Sequence, residues 1–215
     1  MAHPSLRGLY LLLDSAVCPS RTLVDVLKEA ADHGVRLFQY RDKQASMREA
    51  YRMGIELRRA SADAGALLIV NDRCDLALAV DADGVHVGQT DLPLADARLL
   101  MGPEKILGVS THTPAQATAA LAEHPDYVAY GPIFATSTKP DHEAVMGTDE
   151  LRQIRQRVTV PLFAIGGIAA GHLSEILETG TDGVAVCSAV LQASDIGRAV
   201  DAFMKRFLKS DLPRR

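Results

Sequence analysis

Two short apolar runs in the first half of the chain end in polar residues that could bind a cation. Leu67–Val70 runs into Asn71 and Asp72, and Gly84–Val87 is followed shortly by Asp91. If the two runs are neighbouring parallel strands, about 4.8 Å apart, the two carboxylates emerge side by side at one edge of a sheet. Mg²⁺ takes oxygen ligands and is often held by one or two carboxylates together with substrate phosphates. The spacing favours a magnesium site over the alternative, in which each Asp caps the helix that follows it.

Cationic, amide and hydroxyl side chains follow other apolar runs. The segment QYRDK supplies Gln39, Arg41 and Lys43, and the two-residue period of a strand places all three on one side. These side chains could bind an anion, although a solvated turn with an internal Arg–Asp pair fits the segment equally well. Further along, the segment GVSTH supplies Ser110, whose hydroxyl could donate to a phosphate oxygen. It also supplies His112, which is either a general acid or base or a surface residue.

The segment GPIFATSTKP places Lys139 directly after three hydroxyl-bearing side chains, Thr136, Ser137 and Thr138. A lysine beside hydroxyls, in a loop bounded by Gly and Pro, suits a clamp that closes over an anionic substrate. Schiff-base chemistry at Lys139 is the competing interpretation. A nucleophilic lysine is normally desolvated, however, and this one lies among hydroxyl groups, so we expect the clamp.

Two turns late in the chain could bind a second anion through their backbone. The segment AIGGI contains Gly167, and VAVCSAV contains Ser188. Backbone amides near the start of a helix attract phosphate, and the last two loops of many α/β barrels form such a site. The Gly166–Gly167 pair is equally common in tight turns. Together the loops predict a cationic, metal-assisted site for a pyrophosphate and a neutral site for a monophosphate, which implies a pair of phosphorylated substrates.

Eight apolar runs rich in Val, Ile and Leu alternate with amphipathic segments, as expected for βα units around a parallel sheet covered on both faces. The predicted strands are Leu9–Leu13, Val35–Tyr40, Leu67–Val70, Gly84–Val87, Ile106–Val109, Tyr127–Tyr130, Leu162–Ile165 and Gly183–Val186. The predicted helices are Arg21–His33, Met47–Ala64, Cys74–Val80, Leu94–Leu100, Pro114–Ala122, Thr148–Arg157, Gly171–Glu178 and Ser194–Leu208. The even repeat, without GxGxxG after the first run, favours an α/β fold of the (β/α)8 TIM-barrel type over a doubly wound open sheet. We expect the active site at the C-terminal strand ends.

Local signals support some helix starts and one domain. Ser20 is the N-cap candidate for the first helix, and Thr113 followed by Pro114 opens the fifth. No change of composition marks a second unit, so we expect a single TIM-barrel domain over residues 1–215, with a frayed tail over about residues 209–215.

Composition narrows the class of function. The chain has 215 residues, 47% of them hydrophobic, and a net charge of −4. A protein that coats nucleic acid needs a basic face, so nucleic acid is excluded as a partner. Leu9–Leu13 is too short for a membrane span or a signal peptide, which predicts no membrane association and a cytoplasmic location. Cys18, Cys74 and Cys187 are odd in number and widely spaced, so we expect incidental thiols rather than a disulfide framework or a zinc site.

Seven segments in family order and spacing resemble the thiamine-phosphate synthase family over almost the whole chain. They are QYRDK, NDR, GVHVGQTD, GVSTHT, YGPIFATSTKP, AIGGI and VCSAV. The resemblance implies a Mg²⁺-dependent transferase that joins 4-amino-2-methyl-5-hydroxymethylpyrimidine diphosphate to a thiazole monophosphate, giving thiamine monophosphate and pyrophosphate. It also implies a dissociative mechanism, in which pyrophosphate leaves, a pyrimidine methyl cation forms and the thiazole nitrogen captures it.

The resemblance assigns roles to matching positions. It implies that the diphosphate is held by Arg41, Lys43, Asn71, Ser110 and Lys139, and that Mg²⁺ is bound by Asp72 and Asp91. It implies substrate contacts at Gln39 and His86 for the pyrimidine, and at Thr136, Thr138, Gly167 and Ser188 for the thiazole phosphate, with Cys187 as a further substrate-binding position. A thiazole tautomerase of the same fold is the nearest alternative, since His112 could supply an acid or base, and a non-catalytic phosphate-ligand sensor is a more distant one. The oligomeric state is left open, with a homodimer as one option.

Overall fold

Eight parallel strands close into a barrel in the computed structural model of the protein, which describes residues 6–18, 21–136 and 144–209. The strands are β1 (Gly8–Asp14), β2 (Leu37–Arg41), β3 (Leu67–Asn71), β4 (Gly84–Val87), β5 (Ile106–Thr111), β6 (Tyr127–Tyr130), β7 (Leu162–Ile165) and β8 (Gly183–Val186). Each strand pairs with the next along the chain, and β8 pairs with β1, with Gly8 in register with Gly183. All eight predicted strands are present, so the (β/α)8 barrel is confirmed and the open-sheet alternative is wrong.

Helices cover the outside of the barrel. Those in the described ranges are α1 (Leu23–Asp32), α2 (Met47–Asp63), α3 (Cys74–Ala79), α4 (Leu94–Met101), α5 (Pro114–Leu121), α6 (Gly147–Arg155), α7 (Leu173–Leu177), α8 (Ser188–Leu191) and α9 (Ile196–Lys209). The predicted helix Gly171–Glu178 begins as a 3-10 helix, Ala170–His172, before α7. The single turn α8 was not predicted, because four residues are too few to show the 3.6-residue period. None of the helices in these ranges is long and apolar enough to cross a membrane.

Side-chain caps mark the starts of three described helices, α1, α2 and α5, and the caps of α1 and α5 test the predicted ones. The Thr22 hydroxyl accepts the backbone N–H of Asp25 at 3.1 Å, so Thr22 is the N-cap of α1. The prediction of Ser20 as this cap is wrong, and Ser20 itself lies outside the described residues. Thr113 caps α5 and Pro114 takes the first helical position, as predicted, because a proline at that position lacks only an N–H that has no partner within the helix.

Strand side chains alternate between two apolar layers. Outward residues such as Leu11 pack against the helices, and inward residues form a separate core inside the barrel. Tyr10, Tyr127 and Phe163 fill the centre, with ring centroids 5.4 to 5.8 Å apart in edge-to-face geometry. Gly108 makes room for one ring, because a Cβ there would lie 2.0 Å from Tyr127 Cζ on the neighbouring strand. The barrel is therefore a packed core that closes the floor beneath the C-terminal strand ends.

The N-terminal end of the barrel repeats one ionic motif three times. Asp83, Asp126 and Asp182 each directly precede an even-numbered strand, and each carboxylate accepts a backbone N–H of the preceding odd-numbered strand at 2.8 to 2.9 Å. Each also pairs with an arginine from the helix before that strand, namely Arg58, Arg98 and Arg155. Because a charged acceptor strengthens such hydrogen bonds, the motif ties neighbouring βα units together at the end opposite the C-terminal strand ends.

Candidate active site

A cavity of about 430 Å³ lies at the C-terminal ends of the strands. Eleven of the fourteen predicted site residues line it, namely Arg41, Lys43, Asn71, Asp72, His86, Asp91, Ser110, Thr136, Gly167, Cys187 and Ser188. Of the other three, Gln39 is buried inside the barrel, two residues before Arg41. Thr138 and Lys139 lie outside the described residues. The fold thus brings predicted residues from seven of the eight strand ends to one cavity, and Asp14 lines it from the end of β1.

The carboxylates of Asp72 and Asp91 lie next to each other in the cavity wall. Asp72 follows β3 with a φ of +61°, a left-handed conformation that Asp and Asn tolerate better than most residues. Lys43 Nζ lies 3.0 Å from Asp72 Oδ2, and Asp91 Oδ2 accepts the Gly88 N–H at 2.7 Å. Burial raises the pKa of Asp72 above its ordinary value, and the Asp91 carboxylate raises it further, whereas Lys43 opposes both effects. Burial and the neighbouring carboxylate therefore outweigh the stabilising effect of Lys43 on the charged form of Asp72.

Neither carboxylate has the capping role that was its alternative. Arg73 and Pro93 occupy the N-cap positions of α3 and α4, and neither makes a side-chain cap. Two adjacent carboxylates that do not cap a helix repel each other unless positive charge is placed near both. Their placement therefore suits a bound cation better than a helix cap.

The ligand atoms that the cavity offers around Asp72 and Asp91 indicate which metal ion could bind there. Among the described residues, no group of three or more His, Cys, Asp or Glu side chains is placed to hold a metal ion. The cavity offers Asp72 and Asp91, with the Asn71 amide beside them. A set of two carboxylates leaves most coordination positions to substrate oxygens and water, which is the mode that Mg²⁺ commonly uses. The residues present fit that ion.

Asp14, which the sequence interpretation missed, holds Arg41 in place. It ends β1 in register with Arg41 at the end of β2, and Arg41 Nη1 donates to Asp14 Oδ2 in an ion pair. Asp14 is only 2% exposed, and its other oxygen accepts the Ala16 N–H at 3.0 Å. The guanidinium is therefore fixed against the cavity wall. The signal that could have found Asp14 is its position directly after the first apolar run.

A chain of hydrogen bonds crosses the barrel below the cavity. Gln39 Nε2 donates to the Tyr10 hydroxyl at 2.7 Å, and the Tyr10 and Tyr127 hydroxyl oxygens are 2.8 Å apart. His86 continues the chain, with Nδ1 2.9 Å from Tyr127 Oη and Nε2 2.8 Å from Ser110 Oγ. All five side chains are buried, and burial raises the pKa of both tyrosines above the ordinary value, so their hydroxyls stay protonated. The two tyrosines were missed because they lie within apolar strand patterns.

His112 lines the cavity with one ring nitrogen already engaged. Its Nδ1 lies 2.6 Å from the Gly131 carbonyl oxygen. A carbonyl oxygen can only accept, so Nδ1 carries a hydrogen. The backbone N–H of His112 donates to Gln116 Oε1 at 2.7 Å, which fixes the start of the loop after β5. Any acid or base role of His112 is therefore confined to Nε2.

The loops after β7 and β8 complete the cavity wall. Gly166 and Gly167 have φ values of +95° and +64°, and a Cβ on Gly167 would lie 2.3 Å from the Ala135 carbonyl oxygen. Glycine is therefore required where this loop packs against the loop after β6. Burial raises the pKa of the Cys187 thiol to about 12, and Asp14 adds to the rise. The thiol stays neutral near pH 7 and is a poor nucleophile.

The family model described as thiamine monophosphate synthase matches residues 9–190 of the chain. The chain belongs to this family. The thiamine-phosphate synthase of Chloroflexus aurantiacus is 48% identical over 191 residues, which cover 89% of this chain and 88% of the relative. That of Desulfitobacterium hafniense strain Y51 is 42% identical over 197 residues, or 92% and 95% of the two chains. The solved thiamine phosphate pyrophosphorylase from Pyrococcus furiosus matches with a TM-score of 0.87 and 36% identity, over 95% of this chain and 97% of that one.

Membership of the thiamine monophosphate synthase family confirms the resemblance seen in the sequence segments. It makes the chain a transferase of thiamine biosynthesis. The cavity also lies where TIM-barrel enzymes carry their active sites, at the C-terminal strand ends. The family and the position of the cavity therefore agree, and we call the cavity the candidate active site.

Proposed function

We propose that the chain joins 4-amino-2-methyl-5-hydroxymethylpyrimidine diphosphate to a thiazole monophosphate in the candidate active site, forming thiamine monophosphate and pyrophosphate. The observation that carries this proposal is the presence of cations and paired carboxylates in one cavity. Arg41 and Lys43 can bind a diphosphate, and Asp72 with Asp91 suits the divalent cation that accompanies it. The names of the relatives support the same reaction.

The diphosphate would contact Arg41, Lys43, Asn71 and Ser110, all of which line the cavity. The planar guanidinium of Arg41 suits two-point binding of phosphate oxygens, and Asp14 holds it in place. The Lys43 side chain is 57% exposed, so its ammonium group can turn from Asp72 toward a phosphate. Lys139 would join this set from the loop after β6.

Asp72 and Asp91 would hold Mg²⁺. Support comes from the position of the Asp91 carboxylate beside Asp72 and from the raised pKa of Asp72, which burial and the Asp91 carboxylate together cause. A bound Mg²⁺ would stabilise negative charge on the departing pyrophosphate. The Asn71 amide beside the pair would donate to a phosphate oxygen of the substrate.

The reaction requires stabilisation of an anion rather than a protein nucleophile. The bond between the pyrimidine methylene carbon and the diphosphate oxygen breaks, with both electrons leaving on pyrophosphate. The thiazole nitrogen lone pair then forms the new carbon–nitrogen bond, and no proton has to pass to the protein. Arg41, Lys43 and Ser110 would donate to the departing anion, and losing one such donor typically lowers the rate by about 10²–10³. A neutral Cys187 thiol agrees with this chemistry.

The thiazole monophosphate would lie toward the loops after β6, β7 and β8. Its phosphate would contact the backbone N–H groups of Gly167 and Ser188, beside Cys187. Thr136, and Thr138 beyond it, would contact the same substrate. A neutral amide site suits a monophosphate that must be held but not cleaved.

The pyrimidine ring would rest on the floor of the cavity. His86 lines the cavity, and Gln39 is buried within the barrel with its amide bonded to Tyr10. A buried floor suits a neutral heterocycle better than a charged group, because burying an unpaired charge is costly. The charged diphosphate would then extend from the floor to the cations at the rim.

Three broader predictions accompany the reaction: a single domain over residues 1–215, a cytoplasmic location, and a homodimer as one option for the assembly. Light scattering coupled to size-exclusion chromatography measures the mass of the assembly and separates monomer from dimer. Limited proteolysis of the purified protein tests the single domain, since two units would release a stable fragment.

The reaction is tested with purified protein, both substrates and Mg²⁺. We expect pyrophosphate release and formation of thiamine monophosphate, measured by chromatography, with EDTA abolishing both. Omitting either substrate is the control for simple diphosphate hydrolysis. Absence of product at stoichiometric enzyme would contradict the proposed function, and an unchanged rate in EDTA would contradict the Mg²⁺ requirement. Loss of diphosphate consumption in Lys139→Ala would favour the synthase over the thiazole tautomerase.

A further inference from the structure

We propose, building on the function proposed above, that Tyr127 and Tyr10 set the direction of hydrogen bonding through His86. In this arrangement Ser110 turns its hydroxyl hydrogen toward the cavity, where it donates to an oxygen of the bound diphosphate. Tyr127 and Tyr10 are positioning residues, because they contact no cavity-lining anion ligand themselves and act through His86. Four hydrogen bonds below the cavity carry this inference.

The direction of these hydrogen bonds is set by the orientation of the Gln39 amide, because its nitrogen can only donate. Gln39 Nε2 donates to the Tyr10 hydroxyl oxygen at 2.7 Å. Tyr10 Oη has one other hydrogen-bond partner in the described part of the chain, Tyr127 Oη at 2.8 Å, so the Tyr10 hydrogen points to Tyr127. The Tyr127 hydrogen must then point to His86 Nδ1, 2.9 Å away. Every hydroxyl in this arrangement has both a donor and an acceptor.

The tautomer of the His86 imidazole determines whether Ser110 accepts or donates. When His86 Nδ1 accepts from Tyr127, the ring hydrogen of the neutral imidazole lies on Nε2. Nε2 is 2.8 Å from Ser110 Oγ, so Ser110 accepts from His86 and its own hydrogen is left to turn elsewhere. Ser110 lines the cavity that also contains Arg41 and Lys43, where an anion would bind. The serine therefore presents a donor to the anion.

If the hydrogen bonds ran in the opposite direction, Ser110 could not donate to the diphosphate. If the Gln39 amide were turned by 180°, its oxygen would accept from Tyr10 and every hydrogen bond in the chain would reverse. His86 would then carry its hydrogen on Nδ1, and Nε2 would take the Ser110 hydrogen. Ser110 would present only lone pairs to the diphosphate, which repels them. Burial supports protonated hydroxyls in both directions, since it raises the pKa of Tyr10 and Tyr127.

The tautomer of His86 can be observed directly. In protein labelled with ¹⁵N-histidine, the nitrogen chemical shifts separate the Nε2–H form from the Nδ1–H form, and His86→Gln identifies the signals among the seven histidines. We expect Nε2–H in the wild type and a shift toward Nδ1–H in Tyr127→Phe. An Nδ1–H tautomer in the wild type would overturn the inference. This measurement needs no substrate, so it stands even if the proposed reaction fails.

Kinetics test whether the direction matters for the reaction. Tyr127→Phe should lower kcat about tenfold or more, up to the 10²–10³ expected for losing one donor to an anion, with little change in KM for the thiazole phosphate. Ser110→Ala should cost at least as much, and the double variant should lose no more than Ser110→Ala alone. Fully additive losses would overturn the positioning role.

Phe163→Leu is the matched control for packing. Its ring lies 5.5 Å from that of Tyr127 in the same buried layer but takes no part in the hydrogen-bond chain. We expect it to lower the melting temperature at least as much as Tyr127→Phe while kcat stays within about threefold of the wild type. An equal loss of kcat in both variants would mean that Tyr127 acts through packing alone, which would overturn the inference.

Discussion

Replacing Asp72 with Asn tests the metal site directly. Asn keeps the shape of the side chain and tolerates the φ of +61° at this position. The variant loses the ion pair with Lys43, whose side chain is 57% exposed, and such a pair contributes about 0–1 kcal/mol. Because burial and the Asp91 carboxylate raise the pKa of Asp72, removing its charge offsets part of this loss. Without Mg²⁺, the variant should unfold within about 1 kcal/mol of the wild type, or roughly 2–4 °C in Tm.

The response to Mg²⁺ should differ far more. A ligand that binds only the folded state stabilises it by about 2.7 kcal/mol at a concentration 100 times its Kd. For a chain of this size that corresponds to a rise in Tm of roughly 5–11 °C. If the variant binds Mg²⁺ about 100-fold more weakly, the same concentration equals its Kd and the stabilisation falls to about 0.4 kcal/mol. The rise in Tm would then be roughly 1–2 °C.

Thermal unfolding followed by circular dichroism over a series of Mg²⁺ concentrations measures both quantities, and steady-state rates at the same concentrations link them to catalysis. Asp75→Asn is the matched control, because Asp75 is a nearby carboxylate that pairs with Arg73 and lies outside the cavity lining. It should respond to Mg²⁺ like the wild type. A full Mg²⁺-induced rise in Tm for Asp72→Asn would refute the metal site, and equal losses in both variants would indicate a nonspecific effect of charge.

Other variants and conditions probe other parts of the barrel. Asp14→Asn should raise KM for the pyrimidine diphosphate about tenfold or more, because Arg41 loses a charged hydrogen bond worth about 1.5–3 kcal/mol; an unchanged KM in steady-state kinetics would contradict this. Asp182→Ala should lower Tm by roughly 4–12 °C with kcat unchanged, because it removes the carboxylate that pairs with Arg155 and accepts the Leu162 N–H; lost activity in the folded variant would argue otherwise. At alkaline pH, burial of neutral phenols should stabilise the fold fully below about pH 10, and this stability should be lost as the pH rises toward the raised pKa values. In a Tyr51→Phe background, which removes the exposed tyrosine, absorbance at 295 nm should show phenolate only as the helical signal disappears. An earlier rise would contradict burial of the remaining tyrosines, which are Tyr10, Tyr40, Tyr127 and Tyr130.

The strands could be predicted because their side chains are buried on both faces. Leu68 and Ile69 are adjacent in β3, point to opposite faces, and are both 0% exposed. Such a strand reads as a continuous apolar run, and it ends where polar residues begin. In a parallel barrel all of these ends meet at one rim. That rule alone placed Asp72 and Asp91 near each other, although the sequence does not show which of their carboxylate oxygens face each other.

Contacts across the barrel could not be predicted in the same way, because they depend on register and on closure of the sheet. Asp14 meets Arg41 only because β1 and β2 pair with these two residues in register. Tyr10 and Tyr127 are 117 positions apart in the chain, and their hydroxyls meet inside the closed barrel. Alternation along a strand indicates which face a side chain takes, but it does not identify the partner on another strand. The same limit applies to the choice of Thr22 over Ser20 as a cap, which depends on where the first helical turn begins.

The two ends of the barrel differ in how their charges are partnered, and this difference has a thermodynamic consequence. At the N-terminal end, Asp83, Asp126 and Asp182 each have an arginine and a backbone N–H as partners. At the cavity, Asp72 has a positive φ, lies beside the Asp91 carboxylate and pairs with Lys43, whose side chain is 57% exposed. Local strain and repulsion of this kind persist where function requires them and the surrounding structure compensates. Part of the free energy of cation binding is therefore relief of carboxylate repulsion, so substitution of either Asp should lower Mg²⁺ affinity far more than it changes metal-free stability.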